Sequence, residues 1–384
     1  MTDLILCGRK FSRNWIVRHF RNCDGEQFSE NGKRTLAFCG EWLSGAERFI
    51  VSTSGSTGEP KPISITREQM TLSARMTAAA LGLKSGDRAL VCLSPQYIAG
   101  LMMLVRGLEL DLELTVIEPG SNPFDVLDLN RLPPFDFTAL VPLQLQAILA
   151  NSNHTAFLNK IKAVLVGGAP IAISLQQQIR KLPAAIYQTF GMTETVSHIA
   201  LRRLNGSQVS ESYHVLPGVG IGQDARGCLT IRSALTNYQT IVTNDLVELT
   251  SENRFRWLGR FDNVINTGGV KVPAEKVETA IEQALYEMGS EPTEFFVTGL
   301  PDERYHEVVV AVLTGKRLSD EVEQTLRARL TAGLEKYEVP KKILYTDSVV
   351  RTPSGKIDRG ATLTEIQRVS GEQCQLQSES TLSR

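Results

Sequence analysis

The sequence predicts an α/β protein with a large N-terminal domain of βα layers, a small antiparallel β-subdomain, and a hinged, smaller α+β domain at the C-terminal end. Three observations carry this reading. From about residue 47 to 190, short apolar runs alternate with amphipathic ones, the rhythm of a largely parallel sheet covered by helices. From Gly218 to Leu258 the texture changes to closely spaced short runs, which read as an antiparallel sheet or small barrel. After Gly259 comes a compact order of helix, two strands, helix and strand. A chain of 384 residues with 42% hydrophobic content also exceeds what one core usually organises. The expected domains are 1–260 (β-subdomain about 215–258) and 261–365, followed by a polar, aperiodic, disordered tail over 366–384.

The elements follow in order. Phe49-Ile50-Val51 reads as a strand and leads into Ser52–Lys61, a run of hydroxyls, glycines and one lysine. Gly55 and Gly58 let the backbone turn and bring N–H groups close to an anion, Thr53, Ser54, Ser56 and Thr57 add neutral donors, and Lys61 adds positive charge. The P-loop of nucleotide hydrolases ends in Gly-Lys-Ser/Thr, whereas here Gly58 is followed by Glu59-Pro60. Taken alone, such a cluster also suits a flexible loop. Over 66–81, Thr66 and Gln69 have capping-box spacing, Met70, Ala74 and Thr77 continue one face, and Gly82 ends the helix. Strands are expected at 89–93, 113–117, 137–141, 161–166 and 184–187, with helices around 98–108, 142–150 and 174–182. The β-subdomain would use 228–232, 240–242, 246–249 and 254–257. The last domain would use helices 274–288 and 319–335 and strands 294–298, 307–313 and 342–345.

Composition excludes more than it selects. With 41 basic and 42 acidic residues, the net charge of −1 gives no electrostatic reason to expect nucleic acid or an anionic membrane as partner. Six scattered cysteines without a Cys-x-x-Cys pair argue against a zinc site and a disulfide framework and fit a reducing, cytoplasmic setting. Neither a signal peptide nor an anchor is visible, and no apolar stretch approaches membrane-spanning length.

Three further segments point toward nucleotide chemistry. Tyr187–Thr195 places a carboxylate between two hydroxyls just after a strand, where Glu194 suits Mg²⁺ on a triphosphate; a capped helix start would look the same. Asn244-Asp245 and Leu258–Asn263 offer a carboxylate for two ribose hydroxyls and an arginine for phosphate, or an ordinary turn with a surface ion pair. Arg351–Arg359 is a Pro/Gly turn that projects Lys356, a residue type that in turns is mostly solvated and without function.

Taken together, these segments resemble the adenylate-forming enzymes: acyl- and aryl-CoA synthetases, luciferases and the adenylation domains of peptide synthetases, over roughly residues 47–360. The resemblance implies ATP, Mg²⁺ and CoA as ligands and a small carboxylic acid as substrate. It makes 52–61 the phosphate loop and Gly167-Gly168-Ala169-Pro170 the lining of the adenine and acyl pocket. Phe190 would lie against adenine, Thr193 would contact acyl or phosphate oxygens, and Glu194 would hold magnesium. Asp245 would take the ribose hydroxyls, Arg260 ribose or phosphate, and Asp262 would be the hinge. Gly268-Gly269 would lie by the pantetheine channel. Lys356 would be the catalytic lysine of a mobile C-terminal domain that rotates between adenylation and thioester formation.

Two departures accompany the resemblance. The phosphate loop begins at residue 52, so the N-terminal region is expected to be shortened against the family pattern. Ser94–Gly100 matches a segment where many members carry an aromatic residue or histidine guarding the carboxylate; here Tyr97 takes that place. Within the superfamily, 191–201 is most similar to the o-succinylbenzoate–CoA ligases of menaquinone biosynthesis. Ser197, His198, Arg202 or Arg203 would then meet a second carboxylate, although Arg202 and Arg203 equally suit a solvated surface. Another aryl- or acyl-CoA ligase, a carrier-loading adenylation module and a non-catalytic nucleotide-binding homologue are the alternatives.

Overall fold

The computed structural model describes residues 3–22, 28–52, 61–290, 294–352 and 356–368. Among these, the residues from 3 to 243 and from 247 to 257 form a larger compact unit, and 244–246 with those from 258 onward form a smaller one.

In the larger unit, β1 (Leu4–Leu6) and β2 (Arg9–Phe11) form a tight hairpin before α1 (Arg13–His19) and α2 (Glu30–Leu43). β3 (Arg48–Ser52) and β4 (Pro62–Thr66) make a separate two-stranded antiparallel sheet. There follow α3 (Arg67–Leu81), β5 (Arg88–Val91), α4 (Ile98–Leu110), β6 (Glu113–Val116), β7 (Phe137–Leu140), α5 (Pro142–Leu149), α6 (Ser152–Leu158), β8 (Ala163–Val166), α7 (Ile173–Ile179) and β9 (Ile186–Gly191). The capping box read from Thr66 and Gln69 is present, and Gly82 closes α3 at φ 65°. Then come β10 (His198–Arg203), β11 (Tyr213–Val215), β12 (Gly220–Gln223), β13 (Cys228–Arg232), and β14 (Ile241–Ser251) and β15 (Arg254–Arg260), of which residues 244–246 and 258–260 count with the smaller unit.

The main sheet has 13 strands in the order β12-β13-β14-β15-β11-β10-β9-β8-β7-β5-β6-β1-β2. From β9 to β1 neighbours are parallel. Alternation along the strands divides the core between two faces. Ala163 and Leu165 of β8 face Met102, Val105 and Met70, and Val164 and Val166 face Leu145, Phe157 and Leu175. Residues 215–258, expected as an antiparallel sheet or small barrel, form antiparallel strands that continue this sheet. β10 returns antiparallel beside β9, and the later strands extend its free edge, an open sheet among the described residues.

The smaller unit holds β16 (Val264–Thr267), β17 (Val270–Pro273), α8 (Ala274–Glu287), β18 (Phe295–Asp302), β19 (His306–Thr314), α9 (Asp320–Gly333) and β20 (Lys342–Thr346). Its sheet runs β17-β16-β19-β18, with β20 parallel to β19. Val277, Ile281 and Leu285 of α8 and Leu326 and Leu330 of α9 pack on Val297, Val309 and Ala311. Residues 359–368 are helical, so the expected tail begins inside a helix at 366–368, and 369–384 lie outside the described residues. Among the described residues no helix is long and apolar enough to cross a membrane.

Candidate active site

In open α/β sheets, ligands gather at the carboxyl ends of parallel strands, and three of the expected site segments fall there. Ser94–Tyr97 follows β5, Gly167–Pro170 follows β8, and Phe190–Glu194 ends or follows β9, with β7 between β5 and β8. Gly168 has φ +86°, and a Cβ on Gly167 would collide with the Thr189 hydroxyl, so both positions favour glycine. Gly168, Ala169 and Pro170 are exposed, as is Tyr97 at the start of α4, 53% accessible. Phe190 is half-buried; its ring meets Phe255 at 5.0 Å and Tyr213 at 5.6 Å, both edge-on.

Ser52 pairs with Pro62, so the chain leaves and re-enters the β3–β4 hairpin at one point. Thr53, Ser54, Gly55, Ser56, Thr57 and Gly58 lie outside the described residues, and Lys61 is exposed at the returning end.

The β9–β10 connection is built under strain. A short 3-10 turn, Thr193–Thr195, presents Thr193 half-buried and Glu194 exposed. Buried Thr195 clamps it: its hydroxyl accepts the Met192 N–H at 3.1 Å and lies 2.8 Å from the Ser197 carbonyl. Val196 follows at φ +66°, ψ −47°, with Ser197 N–H donating to Thr195 O at 2.7 Å. That is a γ-turn of the strained hand, unusual for a β-branched residue. A lone exposed carboxylate beside a hydroxyl suits Mg²⁺, which keeps waters and phosphate oxygens in its shell and needs no all-protein cage. Among the described residues no cluster of three or more acidic, His or Cys side chains is present.

Beneath this turn lies a residue that sequence reading missed. Arg106 sits in the run Gly100–Leu108 of α4, every member of which is buried, and is itself 2% exposed. Its Nε donates to Thr77 Oγ1 at 3.2 Å and its Nη2 to Ser197 Oγ at 2.8 Å. Both partners are neutral, and burial alone pushes the guanidinium pKa down to about 9. His198 is buried beside it, with Nε2 3.2 Å from Thr77 Oγ1 and Nδ1 3.4 Å from Ser197 Oγ. Since the Thr77 hydroxyl donates to Ser73 O, every bond has its proton when Nε2 carries the hydrogen and Nδ1 accepts from Ser197. Burial, and then the Arg106 charge, hold the His198 pKa well below 6.5, consistent with this neutral tautomer. The signal available in the sequence was an arginine within an apolar helical run.

Arg202 and Arg203 have other surroundings. Arg202 donates to Gln188 Oε1 at 2.6 Å and lies over the Tyr213 ring; Arg203 donates to Asn205 O at 2.9 Å and lies over Tyr187.

In the smaller unit, Asp245, Arg260 and Asp262 come together. Arg260 Nη1 lies 3.6 Å from Asp245 Oδ1, Arg260 Nη2 is 2.9 Å from Asp262 Oδ2, and Asn244 Nδ2 donates to Asp262 at 3.1 Å. Asp245 is buried and Asp262 exposed. Gly268 and Gly269 form the two-residue turn of the β16–β17 hairpin, both at positive φ, with Tyr305 and Tyr337 against Gly268. Lys356 is exposed on the returning arm of a second hairpin, closed by Thr352 N–H to Lys356 O at 2.8 Å and a bridge between Arg351 and Ile357.

Comparison with known proteins gives the family. Residues 46–221 match the AMP-binding enzyme family and 280–356 the AMP-binding enzyme C-terminal domain. An acyl-CoA synthetase (AMP-forming)/AMP-acid ligase II-like protein from Dyadobacter fermentans is 44% identical, with a TM-score of 0.61, covering 92% of this chain and 98% of that one. A probable 2-succinylbenzoate–CoA ligase of Mycobacterium tuberculosis is 29% identical over 356 residues, 87% of each chain. The o-succinylbenzoate–CoA synthetase of Bacillus subtilis, in complex with its acyl-adenylate, shares the fold at a TM-score of 0.65 and 24% identity, over 81% of this chain and 68% of that one. The chain belongs to the AMP-binding enzyme family of ATP-dependent, acyl-adenylate-forming ligases.

Proposed function

We propose that the protein is an acid–CoA ligase for an aromatic acid bearing a second carboxylate, o-succinylbenzoate, and that Arg106 receives that second carboxylate. The observation that carries this reading is a buried guanidinium whose hydrogen-bond partners among the described residues are all neutral. A buried cation without an anion is costly, and a ligand carboxylate removes that cost while gaining a charge-assisted bond. Ser197 and His198 face the same group, and neutral His198 adds no competing charge. The 2-succinylbenzoate–CoA ligases among the relatives support the same acid.

In the first half-reaction the aromatic carboxylate attacks the α-phosphorus of ATP, and charge accumulates on the transferring oxygens and departing pyrophosphate. Lys61 and the 53–58 donors are assigned to the phosphates, Thr193 to acyl or phosphate oxygens, and Lys356 to the charge that develops during adenylation. Asp245 and Arg260 are assigned to ribose, Phe190 and Gly168–Pro170 to adenine, and Asp262 to the hinge. Glu194 would hold Mg²⁺, which when bound offsets phosphate charge. In the second half-reaction the CoA thiol displaces AMP, with Gly268-Gly269 and Tyr97 lining the approaches to thiol and acid.

The test is thioester formation from Mg·ATP, CoA and o-succinylbenzoate beside benzoates and fatty acids. Selective turnover of o-succinylbenzoate supports the proposal. Preference for an acid with a neutral tail would reject it.

A further inference from the structure

A half-buried polar chain in the smaller unit runs from the 261–263 turn to the root of the Lys356 hairpin. Asn263 Nδ2 donates to Glu275 Oε1, and Glu275, in the first turn of α8, lies 3.8 Å from Arg359 Nη1. Arg359 Nη2 donates to Glu278 Oε1 at 2.7 Å, and the same oxygen accepts the Val297 N–H of β18 at 2.8 Å. Arg359 continues directly from the returning arm of the hairpin, where Asp358 N–H donates to Val350 O at 2.8 Å. The guanidinium therefore ties the arm that carries Lys356 to a helix and a strand of the unit's core.

The chain is also incompletely satisfied. Among the described residues, Glu275 Oε2 and Arg359 Nη1 are buried without a hydrogen bond, and a Cβ on Gly259 would collide with Glu275 Oε2. Stability alone does not favour such a network, since apolar residues of similar volume would avoid the unpaired groups.

We propose that Arg359 is a positioning residue for Lys356: its hydrogen bond to Glu278 and its ion pair with Glu275 set where the hairpin leaves the core and so hold the lysine for adenylation. This rests on the reading of Lys356 as the adenylation lysine. Arg359 touches no reacting atom and acts through Lys356 alone, so its loss slows the first half-reaction and spares the second.

Arg359→Met, Arg359→Lys and, as reference, Lys356→Ala are compared in the full chain. The readouts are o-succinylbenzoate-dependent ATP–pyrophosphate exchange, thioester formation from supplied o-succinylbenzoyl-adenylate, and amide hydrogen exchange over 350–358. Arg359→Met is expected to slow ATP–pyrophosphate exchange by about 100-fold at unchanged KM for ATP, since misplacement by about 1 Å suffices for that loss. It should leave thioester formation within about threefold and speed amide exchange at Thr352 and Asp358, and Arg359→Lys should recover part of each effect. Should Arg359→Met not fold, Glu278→Gln keeps the shape, removes the charge and is expected to show the same split. Equal loss of both half-reactions, or unchanged adenylation, overturns the proposal. Full adenylation by Lys356→Ala instead overturns the reading of Lys356, a separate result.

Discussion

Replacing Arg106 with methionine separates a ligand-binding role from a structural one. In the free protein the variant loses two hydrogen bonds to neutral hydroxyls, at 3.2 and 2.8 Å, each worth about 1 kcal/mol net. Against this, the burial cost that holds the guanidinium pKa down to about 9 disappears. The two effects oppose, so stability should change by no more than about 2 kcal/mol in either direction. With substrate bound the loss is one-sided, because a desolvated carboxylate is left without its cation. That costs about 3 kcal/mol, or roughly 100-fold in kcat/KM for the diacid. The assay is initial-rate thioester formation at saturating Mg·ATP and CoA, with o-succinylbenzoate and with benzoate, beside urea unfolding midpoints. A drop of roughly 100-fold for o-succinylbenzoate with little change for benzoate is expected. Unchanged kcat/KM for both acids together with a large fall in the urea midpoint would overturn this role and make Arg106 a structural cross-link between α3, α4 and the β9–β10 connection.

His198 should make stability depend on pH. Its folded-state pKa lies below the 6.5 of the unfolded chain, so its contribution is present above 6.5 and is lost as pH falls toward the folded value, at about 1.4 kcal/mol per pH unit. His198→Gln should flatten that slope between pH 7.5 and 5.5 in urea unfolding, and identical slopes in both proteins would contradict it. Thr195→Val keeps the buried volume but leaves the Met192 N–H and Ser197 carbonyl without their hydroxyl partner, costing about 2–3 kcal/mol and raising the Mg²⁺ concentration needed for half-maximal adenylation. Thr195→Ser should restore both, and an unaltered Mg²⁺ requirement in Thr195→Val would break the link between this clamp and Glu194. A Cβ at Gly100 would collide with the carbonyls of Leu93 and Ser94, so Gly100→Ala should destabilise by about 1–3 kcal/mol, checked by thermal unfolding; an unchanged Tm would show that the 93–97 loop yields freely.

Features encoded locally were legible in the sequence. The Thr66–Gln69 capping box and the apolar runs that became β5 to β8 needed only neighbours a few residues away. The order of motifs led to the family because each motif is a short contiguous run. What stayed hidden depended on distant pairing. Nothing near 228–258 in sequence shows that β11 joins β15 to β10, which is what merges those strands with the main sheet. The strand at 186–191 runs past the expected 187 because β10 pairs with it as far as Gly191. Arg106 escaped notice for a related reason: its partners, Thr77 and Ser197, lie 29 and 91 residues away. Arg202 and Arg203 drew attention instead by lying next to the motif.

The most direct measurement is a crystal structure with ATP, Mg²⁺ and o-succinylbenzoate, read at the succinyl carboxylate. That carboxylate is expected within about 3 Å of an Arg106 guanidinium nitrogen, with Ser197 and His198 beside it. A carboxylate bound elsewhere, with Arg106 still joined only to Thr77 and Ser197, would contradict it.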